Sequence, residues 1–420
     1  MILKNFWHSF LGVLVNVMRF IVAGVFVFSG FVKAVDPLGT VYKLGDYAEA
    51  FGLQAIVRPG WLLLAAELLC LFEFLVGIWI LFSIHRRTAL TAALVFVMLM
   101  TPLTLYLALV NPVSDCGCFG DAIRLTNWQT FWKNVILLAL IIPVLINHER
   151  LFRLVHPNIQ WIVGAFAIVS LLLFMRSNLR HLPLYDFRPY HVGADIEASS
   201  TVPDDAPQPR FETTFILTKD GEQREFTLDD YPDSTWTFVT SRTVMVEKGY
   251  EAPMHDFTLV TDDGDDITSD LYEPGWTFLL VMNKLRGEDM MDVINDLSDY
   301  AVMGGYGFYA LTSATADEIE RWVDHTSASY PFFRLDDITL KTIVRSNPGM
   351  LLVKDGIITA KWSRNDLPRE ISFDTPLESQ PWAVQTPSMV HHRRLRALVL
   401  MFFPYFFIAV LDALVRRKRR

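Results

Sequence analysis

The residues best suited to chemistry are two cysteines that stand one residue apart. They lie in the run Asp115-Cys116-Gly117-Cys118-Phe119-Gly120-Asp121. Two thiols at this spacing can close a small, strained disulfide ring, and strain makes a disulfide easier to reduce. Gly117 and Gly120 supply the backbone freedom that such a loop needs. The pattern therefore predicts a pair that cycles between dithiol and disulfide.

Other interpretations of the pair stay open. The loop could hold two thiols that remain reduced, or a disulfide that is inert. The chain has one further cysteine, Cys70, so neither a disulfide framework nor a four-cysteine metal site can be built. The nearest histidines, His85 and His148, are predicted on the opposite membrane face, and no metal site is predicted.

A second polar group ends the first apolar stretch. Ser29 and Lys33 are four residues apart and share a helix face, and Asp36 follows three residues later. This spacing predicts an ion pair between Lys33 and Asp36 near the membrane surface. The alternative is that Lys33 only extends toward the lipid headgroups.

The second apolar stretch carries two carboxylates inside the membrane. Glu67, Cys70 and Glu73 recur at three-residue spacing, and buried charges in a span are costly and commonly functional. Because Glu67 is nearer the end of the stretch, we expect it within reach of the cysteine loop. Either glutamate could instead be a protonated packing residue, and Cys70 a small buried apolar residue.

Two polar residues open the fourth apolar stretch close to the cysteines. Lys133 is a cation that could lower the pKa of a thiol, and Asn134 follows it. The candidate catalytic residues are thus Cys116, Cys118, Glu67 and Lys33. The candidate supporting residues are Ser29, Asp36, Glu73, Asp115, Asp121, Lys133 and Asn134.

These side chains can meet only if membrane helices hold them together. The 420 residues are 52% hydrophobic with a mean hydropathy of +0.29, which excludes an ordinary soluble enzyme. Six stretches approach the roughly 20 apolar residues that cross a bilayer. They are 14–34, 61–82, 89–110, 131–146, 159–175 and 397–415.

The net charge of −9 hides an uneven distribution. Residues 177–393 hold 18 Lys and Arg against 37 Asp and Glu, whereas the remainder is basic. An acidic soluble part argues against nucleic acid as a partner, since binding to phosphates depends on Lys and Arg. Membrane lipid is the expected surrounding of the basic part.

Basic residues near the ends of the stretches divide almost evenly between the two faces. The densest clusters, at 85–87, 149–153 and 416–420, fall on one face if there are six spans, and that face is expected to be cytoplasmic. We therefore expect a multi-pass protein of a bacterial inner membrane. The cysteine loop and the acidic part would lie in the periplasm, where a disulfide persists.

The soluble part is predicted to divide into several segments. After a fifth span within 151–176, a polar and Pro-rich linker occupies 177–210, and a β-hairpin region occupies 211–255 around the turn 219–222. Residues 256–370 read as β-α-β-α, then an apolar segment 340–344 and a β-hairpin, which is typical of an α/β layer fold. A linker at 371–393 precedes a final span and basic tail at 394–420.

The run Ser346-Asn347-Pro348-Gly349-Met350-Leu351-Leu352-Val353 resembles the thioredoxin-like superfamily, in which a proline at this position is cis and faces two redox cysteines. The family's cysteines would follow strand 277–282, where this chain has Asn283-Lys284-Leu285-Arg286-Gly287. The resemblance thus implies a thioredoxin-like domain that cannot exchange disulfides and serves for docking. An ordinary turn proline is the alternative.

Residues of the first four spans resemble the DoxX-like membrane proteins, in particular the branch of the methylamine utilisation protein MauE. The matching features are Ser29-Gly30-Phe31-Val32-Lys33 with Asp36-Pro37, Glu73 with Gly77, and the run 115–121. The resemblance covers about 16–146 and implies a four-helix, redox-associated bundle within 1–150. For MauE it implies help in maturing a disulfide-rich exported subunit.

The leading hypothesis is a relay that passes electrons between periplasmic thiols and a membrane carrier. Cys116 and Cys118 would be the redox pair, a periplasmic client protein the partner, and a quinone one candidate for the carrier. No cofactor is identified. The first alternative is a non-enzymatic scaffold with a structural disulfide, and a weaker one is a transporter built around the buried glutamates.

Overall fold

A computed structural model describes residues 2–113, 115–203, 205–219, 221–228, 230–247, 249–261 and 263–418. Six of its helices are long and apolar enough to cross a membrane, as the sequence predicts. With a helical membrane part and an α/β part, the fold class is confirmed. The six helices are α1 (Ile2–Val35), α3 (Pro59–Phe82), α4 (Arg86–Val110), α5 (Asn127–Ile146), α6 (Gln160–Arg180) and α11 (Pro387–Lys418).

Helices α1 and α3 are packed with their backbones almost in contact. A Cβ atom added to Gly30 would lie 2.5 Å from the backbone nitrogen of Phe74, and one added to Gly77 would lie 2.6 Å from that of Val27. Small residues allow this approach between membrane helices. The register of these contacts places Glu73 about level with residue 31, and Glu67 about level with residue 37, beyond the end of α1.

A shorter helix, α2 (Pro37–Ala50), connects α1 to the start of α3. Asp36 caps it, since the carboxylate accepts a hydrogen bond of 3.0 Å from the Gly39 backbone nitrogen. Pro37 occupies the first helical position, where its missing N–H costs nothing. The cap sets α2 at the end of the bundle that carries the cysteine loop, which we term the loop end.

The soluble domain is built on a five-stranded sheet in the order β6-β5-β4-β7-β8. The strands β4 (Trp276–Met282), β5 (Gly307–Thr312) and β6 (Phe332–Arg334) are parallel, whereas β7 (Gly349–Lys354) and β8 (Ile357–Ser363) form an antiparallel hairpin beside β4. Every residue of β4 is buried. This matches a strand covered on both faces.

Helices cover both faces of this sheet. They are α7 (Ile196–Ser200), α8 (Met291–Gly304), α9 (Ala316–Thr326) and α10 (Asp337–Ile343). The predicted strands and helices from 277 to 362 are present. The short strand β6 was not predicted, and the apolar segment 340–344 falls mostly in α10. The peptide bond between Asn347 and Pro348 is cis.

Both predicted linkers contribute side chains to the soluble domain. Tyr190 and Ile196, from 177–210, belong to one core, and Leu377 and Ala383, from 371–393, belong to the other. Lys361 anchors the first stretch by an ion pair of 2.7 Å with Asp186. These stretches read as linkers because they are rich in polar residues and proline, while their apolar residues are few and widely spaced.

Residues 210–247 form a separate antiparallel sheet in the order β2-β1-β3. Its strands are β1 (Arg210–Lys219), β2 (Glu222–Phe226) and β3 (Thr237–Glu247). The hairpin of β1 and β2 agrees with the prediction, although Asp220 of its turn lies outside the described residues. The third strand was not predicted.

Candidate functional site

The two cysteine sulfurs lie side by side in the loop between α4 and α5. Cys116 Sγ and Cys118 Sγ are 3.0 Å apart, and both thiols are free. Gly117 between them has a φ of +65°, a backbone conformation that favours glycine. Asp115 accepts a hydrogen bond of 2.8 Å from the Gly117 backbone nitrogen. The loop therefore holds the two thiols close enough to form a disulfide with a small movement.

Two side chains of helix α1 donate hydrogen bonds to the backbone carbonyl of Cys118 in the loop. The Cys118 carbonyl accepts one hydrogen bond of 2.6 Å from Lys33 Nζ and another of 2.8 Å from Ser29 Oγ. Lys33 also donates to Glu73 Oε2 at 2.7 Å, and both side chains of this ion pair are buried. Ser29, Lys33, Glu73 and Cys118 thus form one connected network.

Glu73, not Asp36, is the partner of Lys33, so the predicted ion pair was wrong. The contact at Gly30 turns Lys33 toward α3, whereas Asp36 caps α2 and faces the soluble domain. Glu67 is half-buried and is not among the described residues that line the cavity around the thiols, although Glu73 is. The register of α1 and α3 explains the difference, because it sets Glu73 about half a turn deeper than Lys33, within reach of its ammonium, and sets Glu67 beyond the end of α1.

Helix α2 contacts the loop at Cys116 and at the neighbouring Asp115. Tyr47 donates a hydrogen bond of 2.9 Å to the Cys116 carbonyl, and Lys43 forms an ion pair of 3.3 Å with Asp115. Burial raises the pKa of Tyr47, so its hydroxyl keeps the proton that it donates. Sequence reasoning missed both residues, although Lys43 and Tyr47 are four apart and share a helix face.

The surroundings shift the pKa values of the two thiols in opposite directions. The hydrogen bond from Cys116 lowers the pKa of Cys118, and the nearby cations of Lys133 and Lys33 act in the same direction. The same hydrogen bond, together with burial, raises the pKa of Cys116. Lys133 stands 4.8 Å from the centre of the Phe119 ring. Cys118 is therefore the thiol that ionises first and Cys116 the one that keeps its proton.

The remaining predicted residues lie around this centre. Asn134 is buried and donates to Thr104 Oγ1 at 3.2 Å, and both Lys133 and Asn134 line the cavity. Cys70 is buried on α3 among apolar side chains. Asp121, three residues beyond Cys118, points toward the soluble domain and is 3.4 Å from Arg345 Nη2.

A cavity of about 1240 Å³ surrounds the thiols. The soluble domain contributes Asn283, Lys284 and Asn347 to its wall, beside the cis peptide bond. The bundle contributes an apolar portion that extends between the helices to Phe26, Val97 and Leu137. The cavity thus joins the soluble domain, the two cysteines and the interior of the bundle.

Arg345 links the soluble domain to this centre, and sequence reasoning missed it. Its guanidinium donates to Asp36 Oδ2 at 2.8 Å and to Asp121 Oδ2 at 3.4 Å. Its centre is 5.0 Å from the middle of the Tyr42 ring on α2. Nothing in the sequence near Arg345 indicates a partner more than 200 residues away.

Comparison with known proteins supports the membrane part. Residues 11–147 match the family model of the methylamine utilisation protein MauE. This match confirms the predicted resemblance to MauE, whereas the wider DoxX-like resemblance stays a prediction. The matched portion contains α2, α3, α4 and α5, most of α1 and the cysteine loop. Residues 211–248, which span the three-stranded sheet, match a domain of unknown function (DUF8463). No curated protein and no solved structure matched the chain.

Proposed function

We propose that this protein is a membrane thiol–disulfide relay whose redox centre is the pair Cys116 and Cys118. The observation that carries the proposal is the 3.0 Å separation of two free thiols in a cavity that also contains the buried Lys33–Glu73 pair. A loop that only connected two helices would not need a lysine, a serine and a tyrosine bonded to its cysteine carbonyls.

The exchange step follows from the unequal thiols. The Cys118 thiolate attacks one sulfur of a client disulfide, which forms a mixed disulfide and releases the first client thiolate. Cys116 then loses its proton and attacks Cys118, which forms the Cys116–Cys118 disulfide and releases the second client thiolate. Two electrons have moved from the pair to the client, and the same steps in reverse oxidise a client dithiol.

Lys33 and Glu73 support this chemistry without contacting the client. The Lys33 ammonium holds the Cys118 carbonyl, and its charge favours the thiolate form of that residue. Glu73 balances the Lys33 charge in the membrane interior, where an unpaired ion is costly. We therefore assign Lys33 and Glu73 as positioning residues.

The soluble domain is proposed to be thioredoxin-like and to bring the client to the cavity. The order of its strands supports this assignment, and so does the position of Asn283, Lys284 and Asn347 in the wall of the cavity. Its own residues 283–287 contain no cysteine, so the thiols must come from the bundle. We further propose that the loop end faces the periplasm of a bacterial inner membrane and that the client is an exported protein.

The apolar part of the cavity suits a lipid-soluble carrier. Phe26, Val97 and Leu137 form an apolar wall, while Lys133 and Asn134 offer polar contacts near the thiols. A quinone bound there would accept two electrons and two protons from the dithiol. The matched family is named for methylamine utilisation, and for this chain we propose only the general role of maturing or maintaining an exported client.

The test is thiol–disulfide exchange by the purified full-length chain in lipid nanodiscs, with a disulfide-bonded peptide as the probe. We expect Cys116→Ser to accumulate a mixed disulfide at Cys118 and to release no fully reduced peptide, because the second client thiolate leaves only when Cys116 attacks. Cys118→Ser should form none, and Cys70→Ser should exchange as the unaltered protein does. Oxidation of the pair by a short-chain quinone then tests the carrier.

Two results would reject the relay. The first is disulfide exchange that continues after both cysteines have been substituted. The second is a cysteine pair that stays in one redox state while exchange proceeds. Either result would favour the non-enzymatic scaffold. Substrate flux that is lost with Glu73→Gln but kept without either cysteine would instead indicate a transporter.

A further inference from the structure

Arg345 of the soluble domain forms ion pairs with the membrane bundle. It follows α10 in the soluble domain, yet its side chain is only 8% exposed because it enters the loop end of the bundle. There it pairs with Asp36, at the junction of α1 and α2, and with Asp121, in the loop of Cys118. One guanidinium thus contacts both segments that flank the dithiol.

The geometry of the arginine is fixed from its own side as well. Its Nη1 donates to the Lys341 carbonyl at 2.6 Å, and Nε and Nη2 are the atoms that reach the two carboxylates. Lys341 and Arg345 both lie over the Tyr42 ring, at 4.9 and 5.0 Å. The planar fork of arginine can satisfy these partners together, whereas a lysine at this position cannot.

We propose that Arg345 is a positioning residue of the redox site, through which the soluble domain closes over the dithiol and keeps Asp36 and Asp121 paired beside it. The inference rests on the proposed function, because it assigns the soluble domain a direct part in setting the reactivity of Cys118. It goes further than docking of a client, since the effect is exerted on the thiol when no client is present.

The sign of the effect follows from the charges. Without Arg345, one positive charge is lost and two carboxylates beside the loop lose their shared partner. Negative charge disfavours a thiolate, so the pKa of Cys118 should rise. The other titratable or charged groups around this thiol and its loop remain in place. Among those described are Cys116, Asp115, Arg124, Lys33, Glu73, Lys43, Tyr47 and Lys133, together with Tyr42 on α2 and Asp337 and Lys341 of the soluble domain.

The experiment measures the rate of alkylation of Cys118 against pH in the full-length chain, with iodoacetamide and a bulky maleimide as probes and peptide mapping as the readout. Arg345→Met should shift the profile upward by about half a unit to one unit. It should also raise the rate with the bulky probe relative to the small one. Arg345→Lys should shift the pH profile of alkylation less, because it keeps the positive charge. It should still raise the rate with the bulky probe relative to the small one.

The matched control is Arg364→Met, which removes an arginine of the same domain that pairs with Asp289 outside the cavity. It should leave both readouts unchanged. An Arg345→Met protein that behaves as this control does would overturn the proposal. If Arg345→Met does not fold, the bulky-to-small ratio of Arg345→Lys decides alone, and an unchanged ratio would overturn it.

Failure of the relay would be distinguishable from failure of this inference. Alkylation reports the state of the thiol whether or not any disulfide is exchanged. If the protein exchanges no disulfide but Arg345→Met still shifts the alkylation profile of Cys118, only the relay is rejected. Normal exchange with no effect of Arg345→Met would reject only the positioning role.

Discussion

At the scale of residues, the site depends on an asymmetry between two chemically identical side chains. Cys116 donates through its thiol, and its backbone is held by Tyr47. Cys118 receives that hydrogen bond and lies in the field of two lysines. A relay needs this difference, since one sulfur must attack while the other waits as the resolving thiol.

The asymmetry can be tested by removing the donor. Cys116→Ala abolishes the hydrogen bond to the Cys118 thiolate, and hydrogen bonds to charged groups contribute about 1.5–3 kcal/mol. The pH at which Cys118 is half-maximally alkylated should therefore rise by about one to two units. Cys116→Ser keeps a hydroxyl donor and should shift the profile less. A Cys116→Ala profile equal to that of the unaltered protein would show that the hydrogen bond does not depress the pKa of Cys118 and would leave only the cations.

At the scale of elements, two glycines set the register that makes the network. Gly30 and Gly77 let α1 and α3 approach until their backbones touch, and that contact aligns Lys33 with Glu73. The buried ion pair is stable only in this register, since either partner alone would be an unpaired charge in the membrane. The close approach of the helices is therefore part of the proposed redox site.

Gly30→Ala should separate the helices. The new methyl would lie 2.5 Å from the Phe74 backbone nitrogen, and such overpacking costs roughly 1–3 kcal/mol. We expect a lower thermal stability and slower alkylation of Cys118 near neutral pH. Gly24→Ala is the matched control on the same helix, because a Cβ there meets nothing within 4 Å. Equal effects of the two substitutions would remove the role assigned to the register.

At the scale of the whole molecule, the cysteine loop and the soluble domain lie at the same end of the bundle. Two spans, α5 and α6, separate the cysteine loop from the soluble domain along the chain and bring both to the same side, where Arg345 joins them. The acidic domain thereby forms part of the wall of a cavity whose other wall is the membrane bundle. Under the proposed function, a client would have to pass between these two parts to reach the thiols.

This arrangement makes orientation testable in intact spheroplasts. We expect a membrane-impermeant maleimide to label Cys118 and added protease to cut within the exposed sheet 210–247. Both should occur without breaking the membrane. Labelling and cleavage from opposite sides would contradict the docked arrangement. If Cys118 is labelled and the sheet is cleaved only after lysis, the docked arrangement would stand, but the loop end would face the cytoplasm.

The sequence by itself determined the spans, four of the five strands of the main sheet and the cysteine pair, because these depend on local hydrophobicity and spacing. It also identified Lys33, Ser29 and Glu73 as polar residues in the membrane. Only the tertiary structure decided that Lys33 pairs with Glu73 and not with Asp36, and that Tyr47 and Arg345 reach the loop. Those contacts depend on helix register and on residues up to 309 apart, and no local pattern encodes the distance between them.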